Sequence, residues 1–156
     1  MKKITFFMVL VFGFFLMVSP NPAEAQNIIP GIRLGTYTDA GDLFIGGEIL
    51  IPVTERIWFN PNIEYVFVEN GSYITFNADG HYDIYLADSP LFLWAGAGLG
   101  ILYFDSNAGN FDSTDVGVNL LFGAGLETES RITPYIQAKV IISDSTEFVL
   151  GAGIRF

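Results

Sequence analysis

The chain lacks cysteine, has a single histidine and contains few basic residues. Without cysteine it can form neither a disulfide framework nor a thiolate metal site, so a small exported domain of this kind must be stabilised in another way. Lysine and arginine number 7 against 17 acidic residues, which gives a formal net charge of −10. So acidic a chain is a poor binder of phosphate backbones. We therefore expect no nucleic-acid partner.

Long apolar runs are also missing, except at the start of the chain. Residues 4–18 form an apolar stretch behind Lys2 and Lys3, and Ala23-Glu24-Ala25 fits the small-x-small rule for signal-peptide cleavage. A membrane-anchoring helix is the alternative, but such a helix needs about 20 apolar residues. We predict that residues 1–25 are a cleaved signal peptide and that residues 26–156 form one domain.

Apolar residues make up 51% of the chain, and beyond the first segment they alternate with polar or small residues. Alternation with a period of two predicts β-strands with two unlike faces. Short connections rich in Asn, Asp, Gly and Pro separate these segments, as turns require; the longest connection is 105–115. The eight predicted strands are 28–38, 43–53, 57–68, 73–86, 91–104, 116–127, 133–142 and 147–156.

One face of every predicted strand is free of charge, and the other face carries the charged residues of the strand. Eight strands close into a barrel just wide enough for side chains to fill its interior. We predict an all-β, eight-stranded antiparallel up-and-down transmembrane barrel with a polar, filled lumen and a charge-free surface toward lipid. The predicted lumenal charge network comprises Arg33, Glu48, Glu64, Asp79, His81, Asp83, Glu127, Lys139 and Arg155.

Buried charges must be paired. Strands one and eight are neighbours in a closed barrel, so Arg33 and Arg155 need acids from strands two to four or Glu127. A structural network that fills the lumen is the main interpretation. A narrow or gated ion path is the alternative.

The single histidine, His81, lies between Asp79 and Asp83 on one strand face. This ladder could ligate a metal or support acid–base chemistry. No serine alternates onto that face beside His81, however, and nucleophilic catalysis needs a nucleophile within hydrogen-bond reach of its base. The connection 105–115 offers acidic oxygens but lacks the full calcium-loop pattern. A solvated loop is the main interpretation, and a weak site for a divalent cation is the alternative. We predict no enzymatic activity, no cofactor and no metal site.

The last ten residues, EFVLGAGIRF, place Phe148, Leu150, Ile154 and Phe156 on one apolar face. This strand resembles the closing strand of the small outer-membrane β-barrel proteins of Gram-negative bacteria, the OmpX-like and OmpA-barrel-like superfamily. The resemblance covers residues 27–156 and is strongest at 31–35, 91–104 and 134–156. It implies that these four residues belong to a C-terminal signal read by the barrel-assembly machinery.

The same resemblance implies a monomer in the outer membrane, in contact with lipid and lipopolysaccharide. It implies a structural, surface-interaction or envelope-integrity role. A small pore, a lipid A-modifying barrel enzyme and a soluble lipid-binding barrel are the alternatives. With a periplasmic N-terminus, the connections 39–42, 69–72, 105–115 and 143–145 would face outside the cell. The first two are very short, which argues against an adhesive sheet that protrudes from the surface. No periplasmic domain is expected after Phe156.

Overall fold

A computed structural model describes residues 28–69, 71–106 and 112–156, which form eight strands. Their bounds are β1 (Ile29–Tyr37), β2 (Asp42–Pro52), β3 (Ile57–Phe67), β4 (Gly71–Tyr85), β5 (Leu91–Ser106), β6 (Asp112–Leu126), β7 (Thr133–Ile142) and β8 (Glu147–Arg155). Among the described residues, no helix is long and apolar enough to cross a membrane. The predicted signal peptide, residues 1–25, lies outside the described residues.

The strands form one closed antiparallel barrel in which each strand pairs with the next and β8 pairs with β1. The predicted fold class is confirmed. Following the register once around the barrel from Gly123 in β6, through Gln137, Gly151 and Gly35, leads back to β6 at Ser113, ten residues away. A stagger of this kind tilts the strands by roughly 35–45° to the barrel axis.

Side chains alternate between the lumen and the outer surface along every strand, because successive residues of a β-strand point to opposite faces. The outer surface is apolar: Leu34, Leu43 and Ile136 are each more than 60% exposed. Away from the strand ends, the charged and amide side chains point inward and are buried, Glu64 and Asn119 completely. The barrel is therefore apolar outside and polar inside, the inverse of a water-soluble barrel.

The connections 69–72 and 105–115 are shorter than the sequence predicted. β4 begins at Gly71, which pairs with Ser106 of β5, and Asp105 pairs with Asp112 of β6. Backbone hydrogen bonds continue the ladder through polar residues, which no longer alternate with apolar ones and so give no period-two signal. The β5–β6 hairpin consequently extends past the end of β7, where the last pair is Val118 with Ile142. Residues 107–111 of the predicted loop lie outside the described residues.

Candidate functional site

The lumen contains a polar centre between two apolar clusters. We call the cluster at the end with the β1–β2 and β5–β6 connections the upper cap: Tyr37, Phe44, Val66, Leu102, Ile141 and Val149. The cluster toward the opposite end is the lower cap: Phe92, Trp94, Leu121 and Tyr135. All ten side chains are buried.

Glu64 is the centre of the upper half of the polar network. Lys139 Nζ donates to both its carboxylate oxygens at 2.9 and 3.1 Å, and Arg33 lies 3.2 Å away. The Tyr37 hydroxyl of the upper cap donates to the same carboxylate at 2.6 Å. The carboxylate has no exposed surface, so these donors replace water. One acid thereby joins β1, β3 and β7 across the lumen.

Glu48 is the second centre. Arg155 Nε donates to Glu48 Oε1 at 2.9 Å, and Asn60 donates to Oε2 at 3.1 Å. Arg33 lies 3.7 Å from the same carboxylate and thus lies between the two acids. The structure therefore pairs Arg33 and Arg155 with acids of β2 and β3.

Glu127 does not belong to this network, and its prediction as a lumenal charge is wrong. It is exposed and lies beyond the end of β6, where its backbone N–H donates to the carbonyl of Pro90 at 2.7 Å. The alternation of β6 reaches position 127 in sequence, but pairing with β5 ends at Leu126. Its side chain is therefore in the turn region.

Asp79 is held by amides instead of by a base. Asn119 donates to its Oδ1 at 2.7 Å and Asn62 donates to its Oδ2 at 2.9 Å. Asn77 connects the two asparagines, because it donates to Asn62 and accepts from Asn119. These amide donors take the place of water around the buried carboxylate. This amide ladder lines the β3–β6 side of the polar centre.

His81 and Asp83 lie lower, beside Trp94. His81 Nε2 is 3.5 Å from Asp83 Oδ1, and the imidazole ring is 5.7 Å from the Trp94 ring. Asp79 shares their face of β4 but turns to the asparagines. Within the described part of the chain, no three His, Cys, Asp or Glu side chains are placed to hold a metal ion together.

The lower cap surrounds a cation. The guanidinium of Arg155 lies 4.8 Å from the centre of the Trp94 ring and 4.3 Å from that of Tyr135, within the range of cation–π attraction. Trp94 Nε1 donates to Gln137 at 3.3 Å. A side chain at Gly123 would overlap the Trp94 ring. The glycine spacing of β6 therefore makes room for a large ring.

The sequence did not single out Trp94, although it has a central place in the site. Phe92 and Trp94, two residues apart on β5, lie directly opposite Gly125 and Gly123 on β6. Large rings spaced by two and glycines spaced by two on the next strand are a complementary pattern. That pattern was present in the sequence as a signal for this cap.

The predicted assembly-signal residues lie on the outer surface, separate from the network. Phe148, Leu150 and Phe156 are each about half exposed, and Ile154 is 36% exposed. They form part of the apolar outer surface of β8 and of the residue that follows it. Their reading by an assembly machinery stays a prediction.

Three solved structures are similar to this chain. The N-terminal β-barrel domain of Pseudomonas aeruginosa OprF matches with a TM-score of 0.71 and 15% identity, over 83% of this chain and 96% of that one. Neisserial surface protein A matches with a TM-score of 0.62 and 14% identity, over 82% and 94%. Ail, the attachment invasion locus protein of Yersinia pestis, matches with a TM-score of 0.53 and 14% identity, over 83% and 96%.

No protein-family model matches the sequence, and no curated protein matches it. At these low identities the similarity concerns the fold. The chain has the fold of the small eight-stranded outer-membrane β-barrels, as the sequence resemblance predicted.

Proposed function

We propose that this chain is an integral outer-membrane β-barrel protein with a non-enzymatic structural, surface-interaction or envelope-integrity role. The observation that carries the proposal is the distribution of its side chains. Large apolar residues cover the outer surface of all eight strands, whereas charges fill the lumen. In water such a surface would be a severe aggregation liability, but lipid requires it. A soluble lipid-binding barrel would have the opposite distribution.

The test is folding in detergent micelles or lipid vesicles, followed on gels without boiling. We expect a compact band that shifts after boiling, together with protection from protease only when lipid or detergent is present. The soluble reading predicts a folded monomer in buffer alone. A stable monomer without detergent would therefore overturn the proposal.

In this proposal the lumen is sealed. The barrel anchors the chain in the membrane and presents its surface groups, and it does not conduct ions. The two caps and the network between them leave the lumenal side chains buried. We expect no steady single-channel current in planar lipid bilayers. Reproducible discrete conductance would favour the small-pore alternative and would contradict the sealed lumen.

Surface interaction is proposed for the end that carries the upper cap. With the N-terminus on the periplasmic side, that end faces outward, and the β5–β6 hairpin extends beyond β7 there. The exposed charges at this end are acidic, among them Asp39, Glu69, Asp105 and Asp144. Proteolysis of intact cells tests the orientation: cleavage in the β5–β6 hairpin supports it, and cleavage only in the opposite turns contradicts it.

The absence of enzymatic activity is part of the proposal. A lipid A-modifying barrel needs a nucleophile beside its base. Among the described residues of β4, Ser72 is nine positions from His81 and alternates to the outer face. Incubation with lipid A, analysed by mass spectrometry, should leave the lipid unchanged; loss or gain of an acyl chain would overturn this part.

A further inference from the structure

We propose that Glu48 and Arg155 form a lock across the β1–β8 seam, which selects the register in which the barrel closes. The seam joins the first strand to the last, and closing it brings together the parts of the barrel that are farthest apart in sequence. The other strand pairs join neighbours in the chain. A closure over so many residues carries the largest loop entropy of any pairing here. No short turn fixes the register of β1 against β8, so other contacts must select it.

The apolar pattern alone does not specify this register. A slip of one residue would turn every side chain to the wrong face, but a slip of two preserves the faces. In the observed register, Ile32 pairs with Ile154 and Leu34 with Ala152. A slip of two would pair Leu34 with Leu150 or Ile154, which are also outward-facing apolar residues. Lipid would accept all three arrangements.

The lumenal contacts do distinguish them. Arg155 belongs to β8, and Glu48 belongs to β2, so their 2.9 Å hydrogen bond crosses β1 without using a β1 side chain. At the crossing point β1 has Gly31, which pairs with Arg155 on one side and with Glu48 on the other. A Cβ at Gly31 would lie 2.9 Å from Glu48 Oε1 and 3.0 Å from Glu48 Cγ. Because Gly31 has no side chain, the Glu48 carboxylate can reach the Arg155 guanidinium across β1.

Either slip of two removes this contact. One slip sets Arg155 opposite Arg33, which brings two cations together where the glycine gap was. The other sets Arg155 opposite Ile29 and moves it by about 7 Å along the seam, because a strand rises roughly 3.4 Å per residue. Both slips leave the buried carboxylate of Glu48 without its closest base, a large penalty in a low-dielectric interior.

Contacts with two aromatic rings position the Arg155 guanidinium for its hydrogen bond to Glu48. The guanidinium lies against Trp94 of β5 and Tyr135 of β7, strands on its own side of the seam. These contacts persist whichever register β8 adopts against β1. The hydrogen bond to Glu48 is the contact that exists only when β1 is in the observed register.

Cysteine cross-linking tests the lock cleanly, because the chain has no cysteine of its own. Leu34→Cys with Ala152→Cys reports the observed register, and Leu34→Cys with Leu150→Cys or with Ile154→Cys reports the two slips. Diagonal neighbours lie roughly 7–8 Å apart, beyond the usual Cα separation of a disulfide. Only molecules with the folded gel mobility are scored, after refolding in micelles and oxidation.

In barrels whose Glu48 and Arg155 are unchanged, we expect the Leu34–Ala152 cross-link almost alone. Arg155→Met should raise the ratio of slipped to native cross-links by roughly 5- to 30-fold, the change that a loss of one to two kcal/mol produces. Glu48→Asp, which keeps the charge but shortens the reach, should give a smaller rise in the same direction. Glu48→Asp is the test variant to use if Arg155→Met does not fold.

Arg33→Met is the matched control. It also removes an arginine beside Glu48, but one that lies on β1 and makes no contact across the seam to β8 in the ion-pair network. It should leave the Leu34–Leu150 cross-link unchanged, because that slip does not bring Arg155 opposite Arg33. A Cys pair at Ile63 and Phe76, between β3 and β4, should cross-link to the same extent in every background. Unchanged ratios in folded Arg155→Met and Glu48→Asp, or an equal rise of the Leu34–Leu150 cross-link in Arg33→Met, would overturn the lock.

Discussion

The upper and lower caps close the two ends of one lumen with different contacts. In the upper cap, the Phe44 ring and four aliphatic side chains pack with Tyr37, whose hydroxyl is bound to the buried carboxylate of Glu64. In the lower cap, the rings of Phe92, Trp94 and Tyr135 pack against each other at 5.6–5.7 Å, and Arg155 lies on two of them. The Tyr37 hydrogen bond thus joins the upper cap to the charge network, whereas cation–π contacts of Arg155 join the lower cap to it.

Hydrogen-bond satisfaction differs in the same way. The carboxylate below the upper cap accepts from Tyr37, Thr75 and Lys139. Near the lower cap, His81 Nε2, Asp83 Oδ1, Tyr135 Oη and Gln137 Nε2 have no hydrogen-bond partner in the described structure. In the upper half, Arg33 Nε and Nη1 also have none, but this guanidinium lies between two carboxylates. Buried polar atoms without partners destabilise a fold unless water reaches them. We therefore expect the upper half of the barrel to resist opening more strongly than the lower half.

The largest expected effect is at Glu64, in the upper half. Glu64→Gln leaves Arg33 and Lys139 buried without their shared acid, and we expect a loss of about 3–5 kcal/mol in the free energy of unfolding. Urea titration in micelles, followed by tryptophan fluorescence, measures it. Glu69→Gln, at an exposed position, is the control and should stay within about 0.5 kcal/mol. Equal stability of the two variants would remove Glu64 from the centre of the network.

A smaller effect separates the two halves through matched tyrosines. Tyr37→Phe removes a buried hydrogen bond of 2.6 Å to a carboxylate, and we expect a loss of about 1.5–3 kcal/mol. Tyr85→Phe removes a 3.4 Å contact to Asp83 from a side chain that is 45% exposed, so a loss under about 0.5 kcal/mol is expected. Thermal unfolding of both variants measures the difference. If Tyr85→Phe proved the more harmful, the ranking of the halves would be reversed.

Sequence reasoning predicted the barrel because period-two alternation and strict separation of charge survive in every strand. It predicted the inward direction of Arg33, Glu48, Glu64 and Lys139 for the same reason. It failed where the apolar signal ends but pairing continues, at Gly71 and at residues 112–115. It failed at Glu127 because the period-two alternation indicates the face on which a side chain lies but does not indicate the residue at which the strand ends.

The pairing within the lumen was less accessible to sequence. Parity brings Asp79, His81 and Asp83 to one face, yet Asp79 binds asparagines from β3 and β6. Which acid meets which base depends on the stagger of the whole barrel, and a sequence pattern fixes register only within each hairpin. The ring-over-glycine pairs of β5 and β6 were the part of the site that could have been found.

The last prediction tests the ring packing of the lower cap by adding a single methyl group. A Cβ at Gly123 would overlap the Trp94 ring, whereas a Cβ at Gly47, on the outer face, would meet nothing nearer than 4.0 Å. We expect Gly123→Ala to destabilise the barrel by about 1–3 kcal/mol through overpacking. Gly47→Ala should instead stabilise it by about 0.4–1 kcal/mol, because alanine restricts the unfolded chain. Urea unfolding with Trp94 as the reporter, in a Trp58→Phe background, measures both. If Gly123→Ala were neutral, the lower cap would be loosely packed, and its closure of the lumen would have to come from Arg155 and its partners instead of from the rings.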